Sequence, residues 1–122
     1  MRISNIGIME LEGIEFYAHH GCLEEEKVAG NLFIVDFKGW MDMSKAVESD
    51  ALEDTLDYGL LYKCIETEMA VSSNLLEHLA GRIVKAISLE FPELIKFEIR
   101  VSKRRPPVNG IIQWSRIILK YE

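Results

Sequence analysis

The feature that most constrains the fold is the strict alternation of apolar and polar residues over residues 96–103. The apolar positions are Phe97, Ile99 and Val101. A period of two is that of a β-strand with one buried and one wetted face. The following Pro106-Pro107 pair cannot continue a central strand, because proline has no amide hydrogen to donate. Since Asn109-Gly110 is a turn signal, residues 111–121 are predicted to be the return strand of a hairpin.

Two further strands are predicted in the first third of the chain. Residues 8–17 partly alternate, and residues 32–40 alternate and are rich in β-branched and aromatic types. The second of these strands should run antiparallel to the first. The connection between them, residues 19–31, carries glycines and a cluster of charge, which predicts a long loop that forms one wall of a site. The polar segment after the second strand offers caps for short helical turns at Ser44 and Ser49.

Two amphipathic helices are predicted in the middle of the chain, because residues 61–69 and 76–91 carry apolar residues at helical spacing. The second helix should end before Pro92. Its apolar stripe is formed by Leu76, Leu79, Ile83, Ala86, Ile87 and Phe91. The order ββααββ predicts an α+β fold, an antiparallel four-stranded sheet with two helices on one face. Without an internal repeat or a linker, residues 1–122 are expected to form a single domain.

The composition limits the partners that the chain can have. At 122 residues, the chain can bury roughly two-thirds of its unfolded surface without metal or disulfide support. The net charge of −6, from 14 Lys+Arg against 20 Asp+Glu, argues against a nucleic-acid partner. No apolar run has the length of a signal-peptide core or a membrane span, so a cytoplasmic protein with no membrane partner is expected. Cys22 and Cys64 lack a CxxC spacing, and each is interpreted as a small apolar residue.

Four polar residues are candidates for a site, and each also has an ordinary structural explanation. Glu77 falls at the third position of a helix that Asn74 can cap, where a capping-box acid is common. Lys103 can be the solvated end of a strand, and Tyr58 can be a core or staple residue at the start of a helix. Glu26 lies in an acidic run, which is typical of a wetted surface.

Four segments carry a resemblance to a known family. They are Phe16-Tyr17-Ala18-His19-His20-Gly21 with Glu26, Asp54-Thr55-Leu56-Asp57-Tyr58-Gly59, Asn74-Leu75-Leu76-Glu77-His78-Leu79-Ala80, and Ser102-Lys103 with Pro106-Pro107. In this order and spacing they resemble the dihydroneopterin aldolases of folate biosynthesis, and the likeness runs from about residue 8 to residue 121. The resemblance implies the tunnelling fold, in which ββααββ domains join their sheets around a ring. Such rings are commonly tetramers stacked into octamers, so a homo-oligomer with sites between subunits is expected.

The resemblance also implies a reaction. The family members are lyases that cleave 7,8-dihydroneopterin by a retro-aldol reaction to 6-hydroxymethyl-7,8-dihydropterin and glycolaldehyde. Once N5 of the pterin is protonated, the substrate's own C=N bond is the electron sink, so no cofactor, no metal and no Schiff-base lysine are expected. Re-addition of glycolaldehyde from the other face would epimerise the substrate at C2′.

By the same resemblance, Glu77 and Lys103 have separate tasks. The Glu77 carboxylate accepts hydrogen bonds from the pterin 2-amino group and N3-H, with the backbone of Leu76 beside it. Lys103 is the general acid/base that handles the proton at N5, directly or through water. A lysine with a lowered pKa suits that task near neutral pH.

Tyr58 and Glu26 are implied to bind the reacting side chain of the substrate. The Tyr58 hydroxyl meets that side chain from a neighbouring subunit and helps to protonate the product. Glu26 forms hydrogen bonds with the hydroxylated tail, and Glu25 is the alternative because it lies one position away.

The three histidines are candidate metal ligands, because some relatives of this fold bind zinc through histidine. His19 and His20 are adjacent, and neighbours along a strand face opposite sides of the sheet. Neither these two nor His78 belongs to an HxH or HExxH pattern. No metal site is therefore expected.

Two other functions remain open at this stage. One is an epimerase of dihydroneopterin or its triphosphate, with Arg104 and Arg105 holding the triphosphate. The other is a non-catalytic, oligomeric pterin-binding module in which the polar residues are caps and surface. Trp114 and Arg116 stand where the family has a smaller, glycine-containing segment, and Asp57 precedes Tyr58 at a position where relatives vary. These departures bear on the details of the substrate and on the subunit contact.

Overall fold

The computed structural model describes residues 3–122, and their strands form one four-stranded antiparallel sheet. The strands are β1 (Ile6–Ala18), β2 (Asn31–Asp42), β3 (Lys96–Arg104) and β4 (Trp114–Tyr121). They lie in the order β1-β2-β3-β4, so each strand pairs with its neighbour along the chain, and β1 and β4 are the two edges. The predicted antiparallel sheet is confirmed.

The helices lie between the strands in sequence. They are α1 (Glu24–Ala29), α2 (Ser44–Ser49), α3 (Tyr58–Met69) and α4 (Leu76–Glu90), with a 3-10 turn at Leu52–Asp54. The long helices α3 and α4 cover one face of the sheet and share its apolar core, as predicted. The short helices α1 and α2 bury no residue completely. No helix in residues 3–122 combines the length and the apolar character that crossing a membrane requires.

The core forms where the inward rows of the two central strands meet α3 and α4. The fully covered side chains of these rows are Phe33, Val35, Phe37, Phe97, Ile99 and Val101. Burial of each contributes about 1.5–3 kcal/mol to folding relative to an exposed position. The residues between them face away from the helices, so the alternation that predicts β3 reflects one apolar face.

A bulge in β1 explains why its sequence alternates only in part. The pairing with β2 shifts between Leu11 and Ile14, and both of these residues pack against the core. Gly13 in the bulge adopts φ +72, and its amide donates to Oδ1 of Asp36 at 2.7 Å. The one extra residue of the bulge therefore restores the inward direction of Ile14.

The sheet face opposite the helices carries a row of alternating charge. Glu10, Lys38, Glu98 and Lys120 lie opposite one another on β1, β2, β3 and β4, and we call them the charged row. Opposite charges on neighbouring strands attract, whereas like charges repel. The row begins with a carboxylate on one edge strand and ends with an ammonium on the other.

Two connections differ from their predicted form. The segment 19–31, predicted as a long loop, contains α1, whose acidic first turn suits the positive end of a helix. The hairpin between β3 and β4 is not closed at Asn109-Gly110, because the connection covers residues 105–113 and β4 begins at Trp114 instead of residue 111. The amide of Arg105 donates to the carbonyl of Gln113 at 2.9 Å, and the prolines that follow lack the amide to extend the pairing.

The first turns of the long helices are capped differently. Asp57 is the N-cap of α3, and its side chain accepts the Gly59 amide at 2.9 Å. The N-cap of α4 is Leu75, which is extended and provides no side-chain cap. The predicted capping box of Asn74 and Glu77 is therefore wrong, since the helix begins one residue later and Glu77 is its second residue.

Candidate functional site

A lysine lies at the end of β3 on the otherwise apolar face of the sheet. Lys103 continues the inward row of the strand, with Phe33 of β2 opposite. Its Nζ lies 2.9 Å from Oε2 of Glu26, and the two side chains are only 14% and 12% exposed. A charge-assisted hydrogen bond so far withdrawn from water is stronger than a surface ion pair. The ordinary explanations, a solvated strand end and a wetted acidic run, are wrong for these two residues.

Glu26 is held in place by the first turn of α1. Its Oε1 accepts the Leu23 amide at 3.3 Å while Oε2 faces Lys103. The carboxyl group lies directly against Gly21, where an added Cβ would be 2.3 Å from the carboxyl carbon. The neighbouring Glu25 is exposed and forms no ion pair within residues 3–122. Of the two glutamates, the structure brings Glu26 to Lys103.

The connection after β1 and the connection between α3 and α4 are hydrogen-bonded side by side. The Gly21 amide donates to the carbonyl of Ser73 at 3.0 Å. The Ser72 hydroxyl donates to the carbonyl of His19 at 2.6 Å. Because α4 follows directly after this connection, its first turn and the Lys103 ion pair lie at the same end of the sheet.

His20 is buried between these two connections and is 1% exposed. Its Nε2 lies 3.0 Å from the carbonyl of Met69, and its Nδ1 accepts the Ser73 amide at 3.0 Å. A carbonyl only accepts, so Nε2 carries the proton and the imidazole is neutral. Burial lowers the pKa of His20 most, and the charge of Arg82 lowers it further, against the opposing effect of the Met69 hydrogen bond.

The Ser73 side chain extends this network to the first turns of α4. The Arg82 guanidinium donates to the Glu68 carboxylate at 2.8 Å and to the Ser73 hydroxyl oxygen at 3.0 Å. Since that oxygen accepts from Arg82, its own hydrogen is available to Nδ1 of His78, 2.7 Å away. Sequence reasoning missed Ser73 and Arg82, because serine and arginine near a helix start carry no signal of their own.

Leu76 and Glu77 form the beginning of α4. The Leu76 side chain is buried at 8% exposure, whereas Glu77 is exposed. Glu77 has no side-chain hydrogen bond or ion pair in the part of the chain that the structure describes. An ionised carboxylate without partners can accept two donors at once. The structure thus brings Glu77 to the same end of the sheet as Lys103, without a hydrogen bond between them.

Tyr58 is the first residue of α3 and is 64% exposed, so it is neither a core nor a staple residue. Its hydroxyl forms no hydrogen bond with any residue from 3 to 122. Within one chain, therefore, no hydrogen bond joins Tyr58 to Lys103 or Glu26.

The histidines and cysteines have separate surroundings. His19 is exposed, with Nδ1 2.9 Å from the carbonyl of Lys27, and it faces away from the buried His20. Among residues 3–122, no three His, Cys, Asp or Glu side chains are grouped to hold a metal ion. Cys64 is buried, but Cys22 is exposed, so the interpretation as a small apolar residue holds only for Cys64.

Two of the residues that depart from the family pattern, Trp114 and Arg116, lie on the edge strand β4. Arg116 on β4 donates from Nε to the buried Ser102 hydroxyl at 2.7 Å, and Trp114 pairs with Arg104 at the start of the strand. A groove of about 260 Å³ on the open face is lined in part by Arg116 and by three members of the charged row, Glu10, Lys38 and Glu98. None of the candidate site residues lines this groove.

Comparison with known proteins identifies relatives over most of the chain. A family model described as FolB, dihydroneopterin aldolase, matches residues 9–120. A dihydroneopterin aldolase of Staphylococcus epidermidis is 38% identical over 104 residues, which cover 84% of this chain and 86% of the relative. One from Streptococcus pyogenes is 36% identical over 104 residues, with 82% and 85% covered.

A solved structure shares the fold. The crystal structure of Escherichia coli dihydroneopterin aldolase in complex with neopterin superposes with a TM-score of 0.86. The alignment covers 95% of this chain and 99% of that chain, at 18% sequence identity. At that identity the likeness is one of fold, and it agrees with the ββααββ order predicted from the sequence.

Proposed function

Since the chain belongs to the dihydroneopterin aldolase family, we propose that residues 1–122 form one catalytic domain that cleaves 7,8-dihydroneopterin. This lyase reaction is a retro-aldol cleavage to 6-hydroxymethyl-7,8-dihydropterin and glycolaldehyde in folate biosynthesis. The observation that carries the proposal is the covered Lys103–Glu26 ion pair at the end of the sheet where α4 begins. A site for proton transfer needs such charged groups held apart from bulk water.

The chemistry needs proton transfer and no electron sink from the protein. The C1′–C2′ bond breaks, its electrons pass through the C6=N5 bond to N5, and the C2′ hydroxyl loses its proton as glycolaldehyde forms. C1′ then takes up a proton while N5 returns one, so protons balance over the cycle. Lys103 is the acid/base at N5, directly or through water, and Glu26 accepts hydroxyl hydrogens of the substrate tail.

The pterin ring is anchored at the start of α4. The Glu77 carboxylate accepts hydrogen bonds from the pterin 2-amino group and N3-H, a planar pair of donors that matches its two oxygens. The Leu76 backbone lies beside them. The absence of a protein partner for Glu77 in residues 3–122 supports this role, because an engaged carboxylate would have to break a bond first.

Tyr58 completes the site from a neighbouring subunit and helps to protonate the product. Its high exposure supports this arrangement, since a tyrosine so open in one chain has its contact surface available to another. The unpaired edges β1 and β4 supply the means of assembly, and the charged row presents a carboxylate at one edge and an ammonium at the other. We expect species of four or eight chains by analytical ultracentrifugation, and a protein that stays at 14.0 kDa would contradict the arrangement.

A cytoplasmic location fits the chemistry of the cysteines. Cys22 and Cys64 are both free thiols. Exposed free thiols are typical of proteins in reducing compartments. Fractionation of the native cell, with Cys22 modified by a thiol reagent before and after lysis, would test this location.

The test of function is incubation of chelator-treated protein with 7,8-dihydroneopterin, with both products measured by chromatography. We expect the wild type to form both, Lys103→Ala to lose turnover while it still binds product, and Glu77→Ala to lose pterin affinity. Lys85→Ala, which removes an exposed lysine of α4, is the matched control and should behave as wild type.

Failure has a defined meaning in this experiment. No product from folded wild-type protein would contradict the aldolase proposal. Epimerisation of dihydroneopterin or its triphosphate at C2′ would then be assayed with the same variants, and binding of neopterin without any turnover would indicate a pterin-binding module.

A further inference from the structure

We propose that His20 is a positioning residue: its neutral imidazole fixes the backbone of Ser73 and thereby orients Glu77 toward the pterin. The inference rests on the proposed function, because it concerns the placing of the pterin anchor. It assigns a task to a histidine that has no place in the proton transfers of the reaction.

The position of His20 excludes a direct chemical task. Both ring nitrogens are occupied, Nε2 by the carbonyl of Met69 and Nδ1 by the amide of Ser73, each at 3.0 Å. The ring packs edge-on against Phe33 with centroids 5.1 Å apart, and the side chain is 1% exposed. A ring with no free nitrogen and no exposed edge cannot exchange protons with a substrate.

The partners of His20 define the path from α3 to α4. Met69 is the last residue of α3, and Ser73 lies three residues before Leu76, where α4 begins. The Ser73 carbonyl also accepts the amide of Gly21 at 3.0 Å. The residues His20 and Gly21 therefore hold both backbone groups of Ser73, the donor and the acceptor.

The same serine controls the first turn of α4 through its side chain. Its hydroxyl contacts Nδ1 of His78 at 2.7 Å, and His78 is the residue after Glu77. Arg82, one turn further on, donates to the same hydroxyl oxygen. A displacement of Ser73 would thus be passed to the turn that carries Glu77, while Gly21 on the other side lies against Glu26.

The arrangement requires that His20 stays neutral. A proton on Nδ1 would face the Ser73 N–H, placing two donors head to head. The charged or titratable groups around His20 and Ser73 are Arg82 and His78 of α4, Lys103 of β3 and His19, with Glu68 and Glu26 as the ion-pair partners of Arg82 and Lys103. Burial lowers the pKa of His20 most, the Met69 hydrogen bond raises it, and the nearby Arg82, His19 and Lys103 lower it further. When the pH falls below the ordinary histidine pKa of 6.5, His20 should therefore lose its hydrogen bond to the Ser73 amide, and Glu77 should lose its fixed orientation.

Two substitutions separate the two hydrogen bonds of the ring. In His20→Asn, the amide oxygen takes the place of Nδ1 and can still accept from Ser73. In His20→Gln, the amide nitrogen takes the place of Nε2 and keeps only the bond to Met69. We expect His20→Gln to weaken neopterin binding by roughly three- to tenfold, the effect of one lost hydrogen bond, and His20→Asn to bind nearly as wild type.

A second variant avoids any loss of folding at the buried histidine. Ser73→Ala keeps the backbone bonds but removes the link to His78, and it should raise KM for 7,8-dihydroneopterin more than it lowers kcat. Lys103→Ala should show the opposite split. His19→Gln, which changes the exposed neighbour of His20, is the matched control and should not affect either constant.

The pH profile and amide exchange supply readouts beyond activity. Neopterin affinity of the wild type should fall below pH 6.5, and this acid limb should be absent in His20→Asn, which has no titratable group there. A limb of the same size in His20→Asn, or equal affinities of His20→Asn and His20→Gln, would overturn the inference. If the wild type binds no neopterin, the proposed function fails, and hydrogen exchange of the backbone amides of residues 70–78 then tests the role of His20. Faster exchange in His20→Gln than in His20→Asn supports the inference. Equal exchange in the two variants overturns it.

Discussion

Gly21 is the position where one methyl group should separate the Lys103–Glu26 pair. An alanine Cβ there would lie 2.3 Å from the Glu26 carboxyl carbon and 2.4 and 2.5 Å from its oxygens. Ordinary contact begins at 3.4 Å, so the carboxyl group must retreat by about 1 Å. A retreat of that size directly away from Lys103 lengthens the Nζ to Oε2 distance from 2.9 Å to about 3.9 Å, which is beyond hydrogen-bonding range.

The cost in folding free energy has two parts. A non-glycine residue at φ +149 is strained by about 1–3 kcal/mol. Loss of a charge-assisted hydrogen bond adds about 1.5–3 kcal/mol. We expect Gly21→Ala to lower the free energy of unfolding by about 2.5–6 kcal/mol. A 1 Å displacement at the site should also lower turnover about 100-fold.

Urea unfolding followed by circular dichroism measures the first effect, and cleavage of 7,8-dihydroneopterin measures the second. Gly13→Ala is the matched control, because Gly13 has φ +72 but nothing within 4 Å of its added Cβ. It should report backbone strain alone and leave turnover unchanged.

A double-mutant cycle tests whether the clash acts through Glu26. In the Glu26→Ala background, Gly21→Ala should cost only the strain, so the coupling between the two positions should be about 1.5–3 kcal/mol. The reasoning is refuted if Gly21→Ala costs the same in both backgrounds, or if it destabilises no more than Gly13→Ala.

Three further predictions concern the scaffold. At pH 8, iodoacetamide should modify Cys22 in the native protein and Cys64 only in denaturant, because burial raises the pKa of Cys64 to about 12. Mass spectrometry should show one adduct on the native protein and two on the denatured protein. Asp57→Ala should lower the free energy of unfolding by about 1 kcal/mol through loss of the α3 cap, and Asp57→Asn should retain most of it in urea melts. Ile83→Ala, at a fully buried site, should cost about 2–5 kcal/mol, whereas Leu89→Ala at 75% exposure should stay within about 0.5 kcal/mol; similar midpoints for the two would contradict the packing described.

The sequence predicts the sheet and the long helices because those elements obey one period each. In β3, the inward row of Phe97, Ile99 and Val101 is apolar without interruption, so the pattern alone defines the strand. β1 shows the limit, since its bulge at Gly13 shifts the period and leaves an alternation that looks incomplete. The helix α1 is missed because its stability comes from local capping and its acidic first turn, which a short charged segment does not distinguish from a loop.

The candidate site is predicted less completely, because its residues meet through backbone contacts between distant connections. Periodicity places Lys103 on the apolar side of β3, which is a signal of a special environment, but only the fold shows that its partner is Glu26. The roles of His20 and Ser73 depend on which backbone groups face them. No spacing rule in the chain contains that information, since the two residues are 53 positions apart.

The charged row has a consequence that depends on counting strands. When the sign of the charge alternates from strand to strand, a sheet with an even number of strands has opposite charges on its two edge strands. A sheet of three or five strands would have the same charge on both edges. The two edges of this sheet therefore carry opposite charges in this row, Glu10 on β1 and Lys120 on β4. If two copies of the same edge paired at this level, like charges would face each other and repel. The even number of strands thus makes the two edges of each chain different. It disfavours the symmetric pairing of identical edges by which exposed strands begin to aggregate.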